Sequence, residues 1–183
     1  MKNKNIFALV LVAMIFIQCE KADKEFLITP DSVGMVTRTT RVSDLEALYE
    51  KDSVVLDTNV SKLTSSQEKI QVFEKGGVHL LTLTPNTDSI PTVENIRIYD
   101  PRFVSEKGVG LQSTFKDIKD NYTIDKIVTS MNNVVIFLSD SDMYITIDKE
   151  ELPESLRYAA AGNIEAVQIP DVAKIKYIMV GWD

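Results

Sequence analysis

The chain has 183 residues, with 20 Lys and Arg against 27 Asp and Glu, a net charge of −7, one Cys and one His. Binding phosphate needs a basic surface, so nucleic acid is excluded as an expected partner. A single Cys excludes an internal disulfide, and a single His excludes a multi-His metal site.

The first element is a leader. Met1-Lys2-Asn3-Lys4-Asn5 is basic, and Ile6–Ile17 is an uninterrupted apolar run. Those residues span about 18 Å as a helix, short of the ~30 Å hydrocarbon core. Basic, then briefly apolar, then a cleavage region is the order of a secretory signal, so residues 1–18 are read as a signal peptide. The run ends at Gln18-Cys19, which resembles the lipobox of bacterial lipoproteins. It departs from that pattern at Gln18, where a small residue is usual, and at Phe16, where Leu is usual. The resemblance implies a diacylglyceryl group on the Cys19 thiol and an acylated new amino terminus. The alternative is a plain signal peptide that ends near a cysteine. Several acyl chains hold a protein on a bilayer where one chain does not.

Cleavage before Cys19 removes Lys2 and Lys4, which leaves 18 basic against 27 acidic residues and a net charge of −9. Residues 19–25, CEKADKE, are short, charged and free of large apolar groups, and read as a tether. Acidic residues just after the lipidated Cys also resemble surface-export signals of some lipoproteins, with a solvated linker as the alternative.

The remainder reads as an internal duplication, residues 26–103 and 104–183. Val42-Ser43-Asp44-Leu45-Glu46-Ala47-Leu48-Tyr49 resembles Phe115-Lys116-Asp117-Ile118-Lys119-Asp120-Asn121-Tyr122, an offset of 73. Apolar residues at i, i+3 and i+7 make each a helix with one buried face. Ser43 with Glu46, and Thr114 with Asp117, have capping-box spacing. Gly34 and Gly108–Gly110 precede these helices as turns.

Gln71-Val72-Phe73, a Gly76-Gly77 turn and His79–Leu83 form one β-hairpin. Val135-Ile136-Phe137, a Ser139–Asp142 turn and Met143–Ile147 form the other, at an offset of 64. The third block, Ile90-Pro91-Thr92-Val93 through Ile96 and Ile98, matches Ile169-Pro170-Asp171-Val172 through Ile175 and Tyr177, an offset of 79. Each block is a strand opened by Pro. Pro153–Gly162 occurs only in the second half and reads as a short helix.

The expected fold class is therefore α+β: two tandem helix-plus-antiparallel-meander repeats forming one sheet, with both helices packed on one face. This arrangement is similar to the tandem-repeat fold of β-lactamase-inhibitor-like proteins, a family that includes small outer-membrane lipoproteins of the barrel-assembly machinery. Tyr99-Asp100-Pro101-Arg102-Phe103, Gly108-Val109-Gly110 and Ser113–Ile118 also resemble a stretch of uncharacterised secreted bacterial proteins.

Chemistry is sparse. No G-x-S-x-G elbow is present, and Gly108-Val109-Gly110 lacks the Lys and third glycine of nucleotide loops. No catalytic residue, metal ligand set or cofactor is assigned, and no binding residue can be named. Asp140 and Asp142 with Ser139 and Ser141 offer oxygens to Ca²⁺, but a hairpin turn explains them without it. His79 reads as a strand residue, Arg102 as the partner of a nearby acid, and Trp182 as packing at the sheet's end. The expected protein is exported and lipid-anchored through Cys19 in the bacterial cell envelope, at the outer membrane on its periplasmic or surface face. Its partners are the membrane and an envelope protein. The expected role is a non-catalytic protein-binding or scaffolding module, and the alternative is a small-ligand or metal-binding lipoprotein.

Overall fold

The computed structural model describes residues 24–57, 68–157 and 164–182. The signal peptide, Cys19 and the tether up to residue 23 lie outside the described residues, as does the end of the short helix expected to reach Gly162.

The chain is mixed α/β and mostly sheet. After a 3-10 turn at Lys24–Phe26 come three two-residue strands: β1 (Leu27–Ile28), β2 (Ser32–Val33) and β3 (Val36–Thr37). Helix α1 (Leu45–Leu48) precedes β4 (Ser53–Asp57), β5 (Lys69–Phe73), β6 (His79–Pro85) and β7 (Val93–Ile98). The two-residue β8 (Val104–Ser105) and helix α2 (Phe115–Asn121) then precede β9 (Ile124–Thr129), β10 (Asn133–Leu138) and β11 (Met143–Asp148). Helix α3 (Glu154–Arg157) and β12 (Ile175–Gly181) close the described chain.

One sheet was expected and two are found. The large one has eight strands in the order β4-β5-β6-β7-β12-β11-β10-β9, every neighbouring pair antiparallel. The small one has the order β3-β2-β1-β8, with β1 and β8 parallel. Strands this short carry no periodicity, so the sequence gives no signal for them. Gly34 lies between β2 and β3 at φ +56°, and its N–H donates to the Leu27 carbonyl at 2.8 Å. A side chain there would meet the Glu25 carbonyl oxygen, so the turn requires glycine.

The core of the large sheet is a cross-strand row. Val54, Val72, Leu81, Ile98, Ile178, Ile145, Ile136 and Ile127 are register partners in succession, one from each of the eight strands. At ~4.8 Å per strand the row is about 34 Å long. Its central members are almost fully buried. Branched aliphatic side chains directly opposite each other are the pairs that stabilise a sheet. Leu45 of α1, Phe115 and Ile118 of α2, and Val33, Val36 and Phe103 around the small sheet join the same buried cluster.

Helix α2 starts as its sequence predicts. The Asp117 carboxylate accepts from the Thr114 N–H at 2.7 Å and the Thr114 hydroxyl at 2.9 Å. The Phe115 and Lys116 N–H groups donate to the Ala173 and Asp171 carbonyls. The matching prediction at Ser43 and Glu46 is corrected. Val42–Asp44 is a 3-10 turn, and the Ser43 hydroxyl donates to Asp44 Oδ1 rather than accepting from the Glu46 N–H. The strand expected from Pro170 is also shortened. It begins at Ile175, and Val172 lies in a turn, 75% exposed.

Candidate interaction face

Side chains alternate across a strand, so each residue beside the aliphatic row points to the opposite face. That outer face has its own row, built the same way: Val55, Gln71, Thr82, Arg97, Met179, Tyr144, Phe137 and Lys126. Where the inner row is buried, this one is graded. Gln71, Arg97, Met179, Tyr144 and Phe137 are half-buried, and Val55 and Lys126 are exposed.

At the centre is a column of stacked rings and one cation. His79 lies between Phe73, with ring centroids 4.6 Å apart, and Tyr99, at 3.8 Å. The Arg97 guanidinium lies 4.9 Å from the Tyr99 ring centre and 3.8 Å from that of Tyr177. The column Phe73–His79–Tyr99–Arg97–Tyr177 thus crosses β5, β6, β7 and β12. A bulge places it: β11 and β12 slip by one residue between Thr146 and Ile147, so that Lys176 falls at the irregularity beside Tyr177. Lys176 Nζ reaches Asp148 Oδ2 at 2.6 Å and Asn133 Oδ1 at 3.1 Å.

A second cluster flanks the column. Phe137 and Tyr144 stack at 5.6 Å, with Lys126 Nζ 4.7 Å from the Phe137 ring centre. Asn95 Nδ2 donates to the Tyr144 hydroxyl at 2.6 Å. Tyr144 reaches Asn95 past β12 at Gly181, the register partner of Asn95, where no side chain stands in the way.

His79 Nε2 lies 3.1 Å from both the Leu81 carbonyl and the Thr82 hydroxyl, and the tautomer with its hydrogen on Nε2 is the one that satisfies the carbonyl. Burial lowers the imidazole pKa and the Arg97 charge lowers it further, against the opposing pull of that carbonyl. The ring therefore stays neutral to lower pH than a free histidine.

The other residues singled out in the sequence lie away from this face's centre and are held by the fold. Asp100 is buried and accepts from Arg102 Nε at 3.0 Å, Arg102 Nη2 at 2.8 Å and the Arg102 N–H at 2.8 Å. Arg102 Nη1 donates to Glu74 at 2.9 Å, and its guanidinium covers Phe26 at 4.2 Å. This clamp holds the Asp100 carboxyl below its ordinary pKa. It also ties Phe26 to the sheet. Trp182 is buried at the end of β12, its backbone N–H donating to the Glu94 carbonyl at 2.7 Å. The two carboxylates considered for Ca²⁺ turn to cations: Asp140 accepts from Lys107 at 2.6 Å, and Asp142 from Arg38. Among the described residues no group of three or more His, Cys, Asp or Glu is placed to hold a metal ion.

The outer face was missed in the sequence although its signal is present. Phe73, Tyr99, Phe137, Tyr144 and Tyr177 all occupy the strand phase opposite the aliphatic one. Reading the second phase of each strand would have found them.

No protein-family model matches the chain, and no curated protein matches it. Among solved structures it is similar to the uncharacterized protein yfeY of Escherichia coli, with a TM-score of 0.55 and 14% identity. The similarity covers 84% of this chain and 98% of that one. At that identity the likeness speaks for the fold alone.

Proposed function

We propose that the protein is an exported, non-catalytic envelope protein, lipid-anchored through Cys19, that binds another envelope protein with the outer face of its large sheet. One observation carries the binding role. The inner face is closed by the helices and the small sheet, while the outer face leaves an aromatic column and its flanking ring pair half-exposed across six neighbouring strands. Aromatic residues and Arg are the residue types enriched where protein interfaces concentrate their energy. Among the described residues no helix is long and apolar enough to cross a membrane.

The same proposal includes the duplication. Within the buried row Val54 stands to Ile127 as Val72 to Ile136, Leu81 to Ile145 and Ile98 to Ile178. Ahead of each helix the chain bridges the segment before its own last strand, Arg41 with Thr92 and Thr114 with Lys174. The offset of 79 that joins Ile96 to Ile175 becomes 80 after the β12 bulge, which moves the partner of Ile98 from Tyr177 to Ile178. On this reading two copies of one helix-plus-four-strand unit meet through their last strands, β7 and β12, with both helices on the inner face.

The test has two parts. Intact mass and membrane fractionation of the native protein are compared with Cys19→Ala, and acyl mass with membrane partition is expected in the native protein alone. A photo-crosslinking residue at Val135, on the outer face, is then compared with one at Val167, which is 86% exposed in the segment before β12. Adducts specific to Val135 are expected, and equal adducts from both positions would refute the docking role.

A further inference from the structure

The outermost strands of the large sheet, β4 and β9, each pair on one side only among the described strands. β4 is regular, with Ser53 to Asp57 in unbroken register with β5. β9 is not. Its register with β10 shifts between Phe137 and Leu138, where Lys126 pairs with Phe137 and Ile124 with Leu138, so Asp125 is the extra residue of a bulge. A bulge and a Lys close an edge to a stray regular strand. They also give this edge a pattern of its own.

Ile124 and Ile127 oppose the buried Leu138 and Ile136, and are half-buried on the inner face. Lys126 opposes Phe137 on the outer face, its Nζ 4.7 Å from that ring centre, and the exposed Asp125 stands beside it at the bulge. From Ile124 to Ile127 the strand therefore reads inner, outer, outer, inner. A regular strand alternates, so laid along β9 it sets an inner side chain against an outer one. An antiparallel copy of the same four residues matches the pattern throughout.

The main chain selects the same residues. Where β9 turns into β10 the Ser130 N–H donates to the Asn133 carbonyl at 2.8 Å, and at the far end the Thr123 carbonyl accepts from the Ser139 N–H at 3.0 Å. Main-chain groups alternate in direction along an antiparallel strand. Counted from Ser130, Val128 and Lys126 face β10, while Thr129 and Ile127 turn N–H and C=O to the free edge. Counted from Thr123, Ile124 also turns its pair to the edge. Ile124 and Ile127 thus flank the bulge with donor and acceptor pointing outward.

Charge fits the same register. Asp125 and Lys126 are the only charged residues from Tyr122 to Thr129, and β10 has none. Under a twofold axis through the bulge, Asp125 of each copy meets Lys126 of the other on the outer face, and Ile124 meets Ile127 on the inner face.

We propose that β9 is a homodimerisation edge, where two copies of this chain pair antiparallel, Asp125 against Lys126 and Ile124 against Ile127 in both directions, to make one continuous sheet. The axis stands perpendicular to the sheet, so the two outer faces lie side by side and look the same way. An edge of this length buries less than the ~1,200 Å² of a stable interface, so pairing is weak in free solution. Confinement of the copies to one surface strengthens it. The dimer does not depend on docking at the outer face.

The test places a photo-crosslinking residue at Val128 of the full-length protein in detergent. Val128 is 46% exposed on the outer face, and this register sets it beside Thr123 of the second copy. A product with the mass of two chains is expected, its link mapped around Thr123. The same residue at Val55 on β4, also 46% exposed, is expected to give none. Asp125→Lys sets lysine against lysine and is expected to lower the two-chain yield roughly tenfold, spread over two symmetric pairs. Asp125→Lys combined with Lys126→Asp restores opposite charges, and the yield is expected to return. Should these variants fail to fold, amide exchange of the unsubstituted protein decides. The Ile124 and Ile127 N–H groups are expected to exchange more slowly as protein concentration rises, with no change along β4.

Equal two-chain product from Val55, or a yield that Asp125→Lys leaves unchanged, would overturn the dimer. So would a folded double variant that does not recover, or Ile124 and Ile127 exchange that is independent of concentration. Adducts from Val128 with other proteins alone would overturn it too, and would assign β9 to a different partner. Adducts from Val135 with another protein are read separately by their mass, so either reading can fall while the other stands.

Discussion

Replacing Ile178 by Ala asks whether the eight strands form one cooperative core. Ile178 is fully buried and lies at the seam, with Ile98 of β7 on one side and Ile145 of β11 on the other. The change removes three carbons from a site enclosed on both sides. Their transfer is worth roughly 2.4 kcal/mol at ~0.8 kcal/mol each, and the unfilled cavity raises the loss to about 3–4 kcal/mol. Urea unfolding followed by far-UV circular dichroism reports the whole sheet. Fluorescence of Trp182, buried just past β12, reports the seam. Both probes are expected to give one coincident transition, with a midpoint lower by about 1 M or more and an unchanged slope. Val128→Ala on the edge strand β9, where the side chain is 46% exposed, is expected to change stability by no more than about 0.5 kcal/mol. A loss below about 1 kcal/mol in Ile178→Ala, or two separated transitions, would refute a core continuous across β7 and β12.

Arg102→Met leaves the buried Asp100 carboxylate without its guanidinium. Because the Arg102 side chain is 43% exposed, the loss is expected at about 2 kcal/mol rather than the ~3–5 of a fully buried pair. The clamp lowers the folded-state carboxyl pKa, so its stabilisation is present above the unfolded value and lost as the pH falls through the folded one. Urea titrations at pH 7 and pH 3 should therefore differ less in Arg102→Met than in the native protein. His79 has the opposite protonation chemistry but the same sign. Its folded-state pKa is lowered, so protonation favours unfolding, and stability falls as the pH drops below ~6.5. His79→Gln should flatten that slope between pH 6.5 and 5, and an unchanged slope would count against a half-buried ring that stays neutral. Gly34→Ala places a Cβ against the Glu25 carbonyl at positive φ, and a loss of at least ~1 kcal/mol is expected in thermal unfolding.

Elements long enough to show a period could be read in the sequence. Gln71–Phe73 with His79–Leu83, and Val135–Phe137 with Met143–Ile147, fall within the hairpins β5–β6 and β10–β11. The Thr114–Asp117 spacing marks the start of α2 because one carboxylate suffices to gather both donors. At Ser43 and Glu46 the capping pattern is present, but the Ser43 hydroxyl donates to the adjacent Asp44 carboxylate and a 3-10 turn forms. Strands β4 and β9 were not anticipated, although Ser53–Asp57 and Ile124–Thr129 are rich in branched residues. Each became a sheet edge after a helix too short to set its boundary. The outer face escaped because its members are spaced far apart in sequence. Phe73, Tyr99 and Tyr177 become neighbours only through strand order.

That order also explains why the outer face belongs to neither half alone. On the proposed duplication, corresponding inner positions are all aliphatic, as in Val72 and Ile136 or Ile98 and Ile178. A close-packed core admits little else. Corresponding outer positions keep Phe73 with Phe137 and Thr82 with Thr146, but Gln71 stands against Val135, Arg97 against Tyr177 and Tyr99 against Met179. A face in solvent is free to diverge, and here the divergence is complementary. The first half supplies the cation and the second the ring that covers it, 3.8 Å away across the β7–β12 seam. Two identical halves would place Arg against Arg or Tyr against Tyr there. The oriented guanidinium therefore depends on both the joining of the halves and their difference.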